Sequence, residues 1–470
     1  WRLGEFFHSS PITIGKPNPY FEDPRDKSKR YDLYRNSSLI QNRAKIIVAG
    51  ANDGQLHAFD GGTGSEVWSF IPPNLVPKLR FLAHSSHPTS LTHQFFVDGP
   101  ISAADVWVGT GGGTAKGDNE WSTYIIFAEG KGVRDNTSTA GHTSYLWSSS
   151  QYCDQSFNPA YVWTSTYKYY CGYHALDVTA TGLTPVYKWH INSDPTTEAV
   201  SSSHGPYLGE PSSKMAIGKV LVGGNEKWVG IIGGGYGQSG NAGKGFFVVD
   251  LKDGHILWSY TNHDISAMNA IPASPTIVDT DNDGFIDTAY VGDSSGNMWR
   301  FAFCTKAQGT TCGSGNWSGG LFFQPSTTVP VYTAATVTRD WNSNLWVFWG
   351  TGDKMTPNNT SSSSAGKFFA VKDNSRSGNW TESDLQDITS ALYTTDATTK
   401  GWYISLGSGG EKMLSDPTVF GGMLLFTTYL PYAGTNPCVM AGTSYLHALA
   451  MQRQPVRGAG VFDSGAGLLD

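Results

Sequence analysis

Hydrophobic residues occur along the chain in short runs, which are separated by clusters of glycine, asparagine, aspartate and threonine. The segment from 46 to 70 shows this pattern most clearly, with apolar runs at 46–50, 56–60 and 67–70. The intervening residues 52–54 (Asn-Asp-Gly) and 61–64 (Gly-Gly-Thr-Gly) favour tight hairpin turns, because these residue types tolerate positive φ angles. Three short antiparallel strands joined in this way form most of one blade of a β-propeller.

The middle strand of this unit recurs through the chain. Further copies lie at 172–177, 245–250, 296–301, 366–371 and 443–449. Trp68, Trp189 and Trp258 lie on the strands that follow three of the copies. About six copies are readable, at a spacing that is long for a blade. The sequence therefore predicts an all-β fold, a modified seven-bladed β-propeller forming a single domain over residues 1–470 and closed so that few sheet edges are exposed.

Segments rich in glycine, serine and threonine interrupt the repeat and are predicted to be surface-loop insertions. They lie near 109–170, 305–330 and 374–400. Within the last of them, Leu385, Ile388 and Leu392 have helical spacing. This spacing predicts one short helix over 383–393.

Composition narrows the function classes. Charged residues make up 15% of the chain and aromatic residues 13%, and there are 56 glycines, which suits strands and turns. The net charge of −7 argues against nucleic acid or anionic lipid as a partner. No apolar run reaches the length of a transmembrane helix. The chain begins at Trp1 without Met, and we expect it to be a fragment of a longer protein.

The strongest chemical signal is an acidic loop between two apolar segments, 275–278 and 288–291. Its aspartates at loop positions 1, 3, 5 and 9, with glycine at 6, are Asp279, Asp281, Asp283, Asp287 and Gly284. Ca²⁺ takes six to eight oxygen ligands, and this spacing with the carbonyl of Phe285 at position 7 matches the first half of an EF-hand loop. Position 12 is Tyr290 rather than Glu, so Asp287 is expected to close the site. The alternative is an acidic surface turn that binds no ion.

Five cysteines are too few to cross-link so large a fold. Cys304 and Cys312 bracket one short polar loop, and Cys153 and Cys171 bracket another. Both pairs are predicted to be local disulfides formed in an oxidising compartment, the alternative being unpaired thiols. Cys438 is expected to be free, or paired with a part of the protein outside this chain.

No catalytic constellation is readable, and the sequence predicts a protein that is not an enzyme. The Gly235-x-Gly237-x-x-Gly240 match to a dinucleotide fingerprint is followed by a strand instead of the required helix. His57, His174 and His447 occupy equivalent positions of the repeat, which makes them blade residues.

Residues 58–68 resemble the tryptophan-docking repeat of quinoprotein alcohol dehydrogenases, so the propeller is expected to be quinoprotein-like. This resemblance raises an alternative function, a periplasmic quinoprotein-type dehydrogenase using pyrroloquinoline quinone with Ca²⁺. That family uses an adjacent pair of cysteines beside the quinone, and no two cysteines are adjacent here.

Three segments together resemble one family, the C-terminal domain of the PilC/PilY-type adhesins of bacterial type IV pili. They are residues 3–11, 48–60 and 279–287. By position, the family's calcium ligands correspond to Asp279, Asp281, Asp283, the Phe285 carbonyl and Asp287. The chain carries no Arg-Gly-Asp tripeptide.

The resemblance implies a calcium-binding pilus biogenesis factor and tip-associated adhesin that supports pilus extension, surface adhesion and twitching motility. Expected partners are type IV pilus components (minor pilins) and host or abiotic surfaces. The expected location is the cell surface, at the pilus tip and outer membrane, after export through the periplasm. The chain is expected to be monomeric and to lack the N-terminal adhesive region of the full-length protein.

Overall fold

The computed structural model describes residues 3–17, 30–82, 95–109, 120–133, 172–182, 184–191, 207–237, 240–390, 400–434 and 442–450. The chain divides into two compact units. The first comprises Trp1–Ala270, Asp279–Asp287 and Phe303–Trp317, and the second comprises Ile271–Val278, Thr288–Ala302 and Ser318–Asp470.

Three sheets of four antiparallel strands, each a simple meander, form within the first unit. They are β1 (Ile12–Ile14), β2 (Ile46–Gly50), β3 (Leu56–Asp60) and β4 (Glu66–Phe70); β5 (Ile101–Trp107), β6 (Trp121–Ala128), β7 (Tyr173–Asp177) and β8 (Val186–His190); and β9 (Ala216–Val222), β10 (Asn225–Gly233), β11 (Gly245–Asp250) and β12 (Ile256–Thr261). Two short helices, α1 (Arg30–Asn36) and α2 (Ser38–Gln41), lie between β1 and β2 in the chain.

Three more sheets belong to the second unit. They are β13 (Thr276–Val278), β14 (Thr288–Gly292), β15 (Met298–Ala302) and β16 (Ser318–Gln324); β17 (Thr336–Arg339), β18 (Leu345–Gly350), β19 (Lys367–Lys372) and β22 (Gly401–Ser405); and β23 (Thr418–Phe420), β24 (Met423–Leu430) and β25 (Thr443–Ala450). The two-residue strands β20 (Trp380–Thr381) and β21 (Gln386–Asp387) pair in parallel with β16 and β22. Short 3-10 helices occur at Pro73–Phe81, Gly130–Val133, Lys306–Thr311, Ser314–Asn316, Ser362–Ser364 and Glu382–Asp384.

The sheets are arranged as blades. In the first unit β1 lies beside β5, and β5 beside β9; in the second, β13 lies beside β17, and β17 beside β23. Each of these strands is the first of its sheet, so consecutive meanders meet through their first strands, as the blades of a propeller do. The all-β prediction is confirmed, and the described residues contain six blade-like sheets.

The repeat extends to an irregularity in the backbone. The pairing of the third and fourth strands shifts register at Ala58/Phe59, Ala175/Leu176 and Val248/Val249. These are equivalent positions of the recurring strand, so each of these three copies of the repeat has a bulge at the same place. A bulge increases the local twist of a sheet, which a blade requires.

Two parts of the insertion prediction are wrong. The segment 305–330 contains β16, and 374–400 contains β20 and β21. Over 383–390, the described part of the helix predicted at 383–393, the structure has a 3-10 turn and β21, whose Gln386 pairs with Trp402. Pairing with a neighbouring strand outweighs the weak helical spacing of a few apolar side chains.

The three equivalent histidines are held by hydrogen bonds inside their own sheets. His57 bonds the carboxylates of Glu66 at 2.7 Å and Asp53 at 3.0 Å. His174 bonds Glu129 at 2.7 Å, and both side chains are buried. His447 bonds the hydroxyl of Thr428 at 3.0 Å. These contacts fit their interpretation as blade residues.

His57 should make the stability of the chain depend on pH. Burial lowers the pKa of His57, but the bonds and charges of Asp53 and Glu66 outweigh burial and raise that pKa above its usual value. A raised pKa means that the folded state binds the proton more tightly, so this stabilisation is present below about pH 6.5 and is lost as pH rises through the folded-state pKa. Phe247 occupies the corresponding position of its sheet, so His57→Phe is a natural replacement. We expect the stability of the wild type relative to this variant, measured by urea unfolding, to fall as the pH rises above about 6.5. Parallel pH profiles would contradict the assignment.

No helix among the described residues has both the length and the apolar character needed to cross a bilayer.

Candidate metal centre

The loop that joins β13 to β14 wraps its backbone around its own carboxylates. The two oxygens of Asp279 accept the amide protons of Asp283 at 3.1 Å and Gly284 at 2.8 Å. Asp281 accepts from the amide of Asp283 at 3.1 Å, and Asp283 accepts from that of Phe285 at 2.8 Å. Gly284 has φ 96°, a left-handed conformation that glycine adopts without strain. The loop is therefore turned by residues that the sequence places at fixed spacing.

The wrapping brings three carboxylates together. Carboxylate oxygens of Asp279, Asp281 and Asp283 lie within 4.8 Å of one another. Burial raises the pKa of Asp281, and the charges of Asp283 and Asp287 add to this rise. Among the described residues no hydrogen bond reaches the carbonyl oxygen of Phe285. Clustered carboxylate oxygens are the donors that Ca²⁺ prefers, so the residues present fit this ion.

Asp287 has a different environment from the other three aspartates. It is buried, and its Oδ2 accepts the amide proton of Thr280 at 3.1 Å and the Thr280 hydroxyl proton at 2.7 Å. Its backbone carbonyl accepts from the amide of Phe303 at 2.8 Å. Asp287 is outside the cluster of three, although its charge acts on Asp281. Its role as the closing ligand stays a prediction, and its observed bonds brace the two ends of the loop.

The acidic loop lies against β9, which is the edge strand of its sheet. The amide of Ile286 donates to the carbonyl of Lys219 at 2.8 Å. The ammonium group of Lys219 lies 5.0 Å from the centre of the Phe285 ring, within reach of a cation–π contact. Sequence reasoning did not find this neighbour, because Lys219 is far from the loop in the chain and carries no motif.

A second loop contacts the end of the same strand. Cys304 and Cys312 form a disulfide with a Cα–Cα distance of 5.7 Å, which confirms that predicted pair. Cys304 forms an isolated antiparallel bridge with Leu221, and the carbonyl of Cys312 accepts from the amide of Gly223 at 2.8 Å. Both cysteines are buried, and the indole of Trp317 donates to the sulfur of Cys304 at 3.2 Å.

The two loops also contact each other. The amide of Lys306, two residues after Cys304, donates to Oδ2 of Asp283 at 2.7 Å. One predicted calcium ligand is thus held by an amide from the disulfide-closed loop. The other cysteines of the sequence prediction, Cys153, Cys171 and Cys438, lie outside the described residues, so the Cys153–Cys171 pair stays a prediction.

A second group with metal-ligand chemistry lies in the turn between β11 and β12, at Asp250, Asp253 and His255. Its members are already paired with protein groups. Lys227 donates to Asp250 at 2.6 Å, and the ring of His255 contacts Asp253 at 2.5 Å. A resident ammonium group satisfies the charge of this turn, so we interpret it as an ion-paired blade turn.

Comparison with known proteins places this fold in a class. A family model described as the PilY1 beta-propeller domain matches residues 170–397. The crystal structure of the Pseudomonas aeruginosa PilY1 C-terminal domain superposes with a TM-score of 0.63 and 20% identity, covering 93% of this chain and 85% of that one. The fold class is therefore a β-propeller, as predicted.

Curated relatives extend the likeness over most of the sequence. A type IV pilus biogenesis factor PilY1 homolog from Xylella fastidiosa is 23% identical over 95% of this chain and 32% of the relative. The type IV pilus biogenesis factor PilY1 of Pseudomonas aeruginosa PAO1 is 28% identical over 64% of this chain and 20% of the relative. The chain thus spans about a third and a fifth of the lengths of these two relatives. The predicted resemblance to the C-terminal domain of the PilC/PilY-type family is confirmed.

Proposed function

We propose that this chain is the calcium-binding propeller domain of a type IV pilus biogenesis factor. The observation that carries the proposal is the cluster of Asp279, Asp281 and Asp283 within a propeller similar to that of PilY1. The protein acts by binding and not by catalysis. It serves as a tip-associated adhesin at the cell surface, where it supports pilus extension, adhesion and twitching motility. Its partners are minor pilins and host or abiotic surfaces.

The ion acts on local order. Asp279, Asp281, Asp283 and the carbonyl of Phe285 supply oxygens, and the positive charge offsets repulsion that otherwise loosens the loop. Asp287 either supplies a further ligand oxygen or stabilises the loop through its hydrogen bond with Thr280. With no distal Glu, we expect affinity in the sensor to extracellular range, roughly 10⁻⁶ to 10⁻⁴ M. A pilus component then binds the loop in its ordered, calcium-bound conformation.

The test combines calorimetry with motility. Titration of the 470-residue chain with Ca²⁺ should show one saturable site, whereas Asp281→Asn should show none. A source strain carrying Asp281→Asn in the full-length protein should lose surface pili and twitching. Asp60→Asn removes one carboxylate from an exposed turn and should leave binding and motility unchanged. Normal pili and motility in a strain whose protein binds no calcium would reduce the ion to a structural role and overturn the proposed function.

The alternative, a quinoprotein-type dehydrogenase, has a simple discriminating test. The purified chain, reconstituted with pyrroloquinoline quinone and Ca²⁺, should show no quinone absorbance after gel filtration and no dye-linked alcohol oxidation. Retained quinone with turnover would favour the dehydrogenase.

A further inference from the structure

We infer that the Cys304–Cys312 disulfide is a positioning element for the acidic loop and sets its affinity for Ca²⁺. The inference deepens the proposed metal site and rests on it. It assigns a role to a cross-link that lies close to the site but contributes no ligand to it.

The first step is the contact between the loops. Asp283 Oδ2 accepts the amide proton of Lys306 at 2.7 Å, while Oδ1 accepts the amide proton of Phe285 within its own loop. A carboxylate held by amides on both oxygens has a fixed orientation and still offers lone pairs to a cation. The Lys306 amide therefore orients a predicted ligand from outside the acidic loop, as hydrogen-bond donors to ligating carboxylates do in metal sites.

The second step concerns what holds Lys306 in place. Lys306 begins the 3-10 helix Lys306–Thr311, and the disulfide closes the chain immediately around that helix. None of the residues of this helix is buried, so packing contributes little to its position. Its anchors are the two cysteines, both buried, which join the chain to Leu221 on β9 and to Gly223 in the turn after β9.

The third step is that both loops share one support. Lys219 and Leu221 lie on β9, and Gly223 is the first residue after it. Lys219 contacts the acidic loop, whereas Leu221 and Gly223 contact the disulfide loop. The spacing between Asp283 and Lys306 is thus set by β9 and the turn that follows it. Removing the cross-link allows the disulfide loop to move. Binding of the ion must then order this loop, which makes the binding free energy less favourable.

The sharpest test removes only the amide. Lys306→Pro deletes the donor at the first position of the helix, where proline is favoured, and the preceding Thr305 is extended (φ −96°, ψ 159°), as a residue before proline should be. Lys306→Ala keeps the amide and removes the charge, which makes it the matched control. By calorimetry with Ca²⁺, we expect Lys306→Pro to weaken binding roughly tenfold or more and Lys306→Ala to bind within about twofold of the wild type.

The second variant removes the cross-link itself. Cys304→Ser with Cys312→Ser should also weaken Ca²⁺ binding by roughly tenfold, while Cys438→Ser should have no effect. Far-UV circular dichroism and urea unfolding identify any variant that fails to fold, and Lys306→Pro, which retains the disulfide, then decides the question.

The outcomes separate the two hypotheses. If the wild type binds Ca²⁺ and Lys306→Pro binds it more weakly, the positioning role is supported. If the wild type binds Ca²⁺ and both Lys306→Pro and the double serine variant bind it equally well, this inference is overturned and the metal site stands. A wild-type chain that binds no Ca²⁺ overturns the metal site, and the inference falls with it.

Discussion

Calcium at a hundredfold excess over its dissociation constant should stabilise the wild-type chain by about 2.7 kcal/mol, and Asp281→Asn should abolish nearly all of this gain. Asp281 is the most exposed member of the cluster, yet the partial burial that remains, together with the charges of Asp283 and Asp287, raises its pKa. Its carboxylate therefore has an unfavourable environment without a cation. Asparagine preserves the shape of the side chain and one acceptor for the amide of Asp283 while removing the charge.

The calcium-free comparison makes this prediction specific. In excess chelator, Asp281→Asn should be at least as stable as the wild type, because the substitution relieves repulsion. The free energy of unfolding, measured with and without Ca²⁺ for both proteins, gives the difference directly. An acidic turn that binds no ion would show the same small gain on substitution but no effect of Ca²⁺ on the wild type.

Asp287→Ala, unlike Asp281→Asn, should destabilise the chain in the absence of calcium, by about 3 kcal/mol in the free energy of unfolding. The buried Oδ2 of Asp287 accepts both the amide and the hydroxyl protons of Thr280, and alanine leaves both donors buried without this acceptor. Loss of calcium binding in this variant would thus have two causes, the lost hydrogen bonds to Thr280 and the missing ligand.

Two further variants separate these causes. Asp287→Asn keeps a carbonyl oxygen that can accept from Thr280, so it should recover most of the stability. Thr280→Val removes the hydroxyl donor alone and should cost about 1 kcal/mol. If Asp287→Asn is stable in chelator yet binds no Ca²⁺, Asp287 is a ligand. If it is stable and binds normally, the residue is only a brace, and the closing-ligand prediction is wrong.

The sequence predicted those features that depend on neighbouring residues. Strands β2 and β3 lie where the apolar runs and the Asn-Asp-Gly turn placed them. The acidic loop follows β13 and precedes β14 because its spacing, its glycine and its flanking β-branched residues are all local signals. The Cys304–Cys312 pair was predictable for the same reason, since a short separation makes the geometry easy.

What escaped prediction depends on contacts between distant parts of the chain. Nothing in the sequence near Lys219 indicates that it lies under the acidic loop, and nothing near Lys306 indicates that its amide orients Asp283. The helix expected near Leu385 failed because the partner strand that competes for those residues, β22, comes later in the chain. Local pattern determines which elements can form, but the tertiary partner decides between a weak helix and a short strand.

The edge of β9 has a consequence for solubility. An uncovered edge strand is a template on which a second chain can add a strand, and this is a common route to aggregation. Here the acidic loop and the disulfide loop bond to Lys219 and Leu221 on β9 and to Gly223 directly after it. The aspartates of the acidic loop would then have a second role besides binding an ion. They place negative charge at the edge where a second chain would have to add a strand. Chains that lack the cross-link would present this strand to one another.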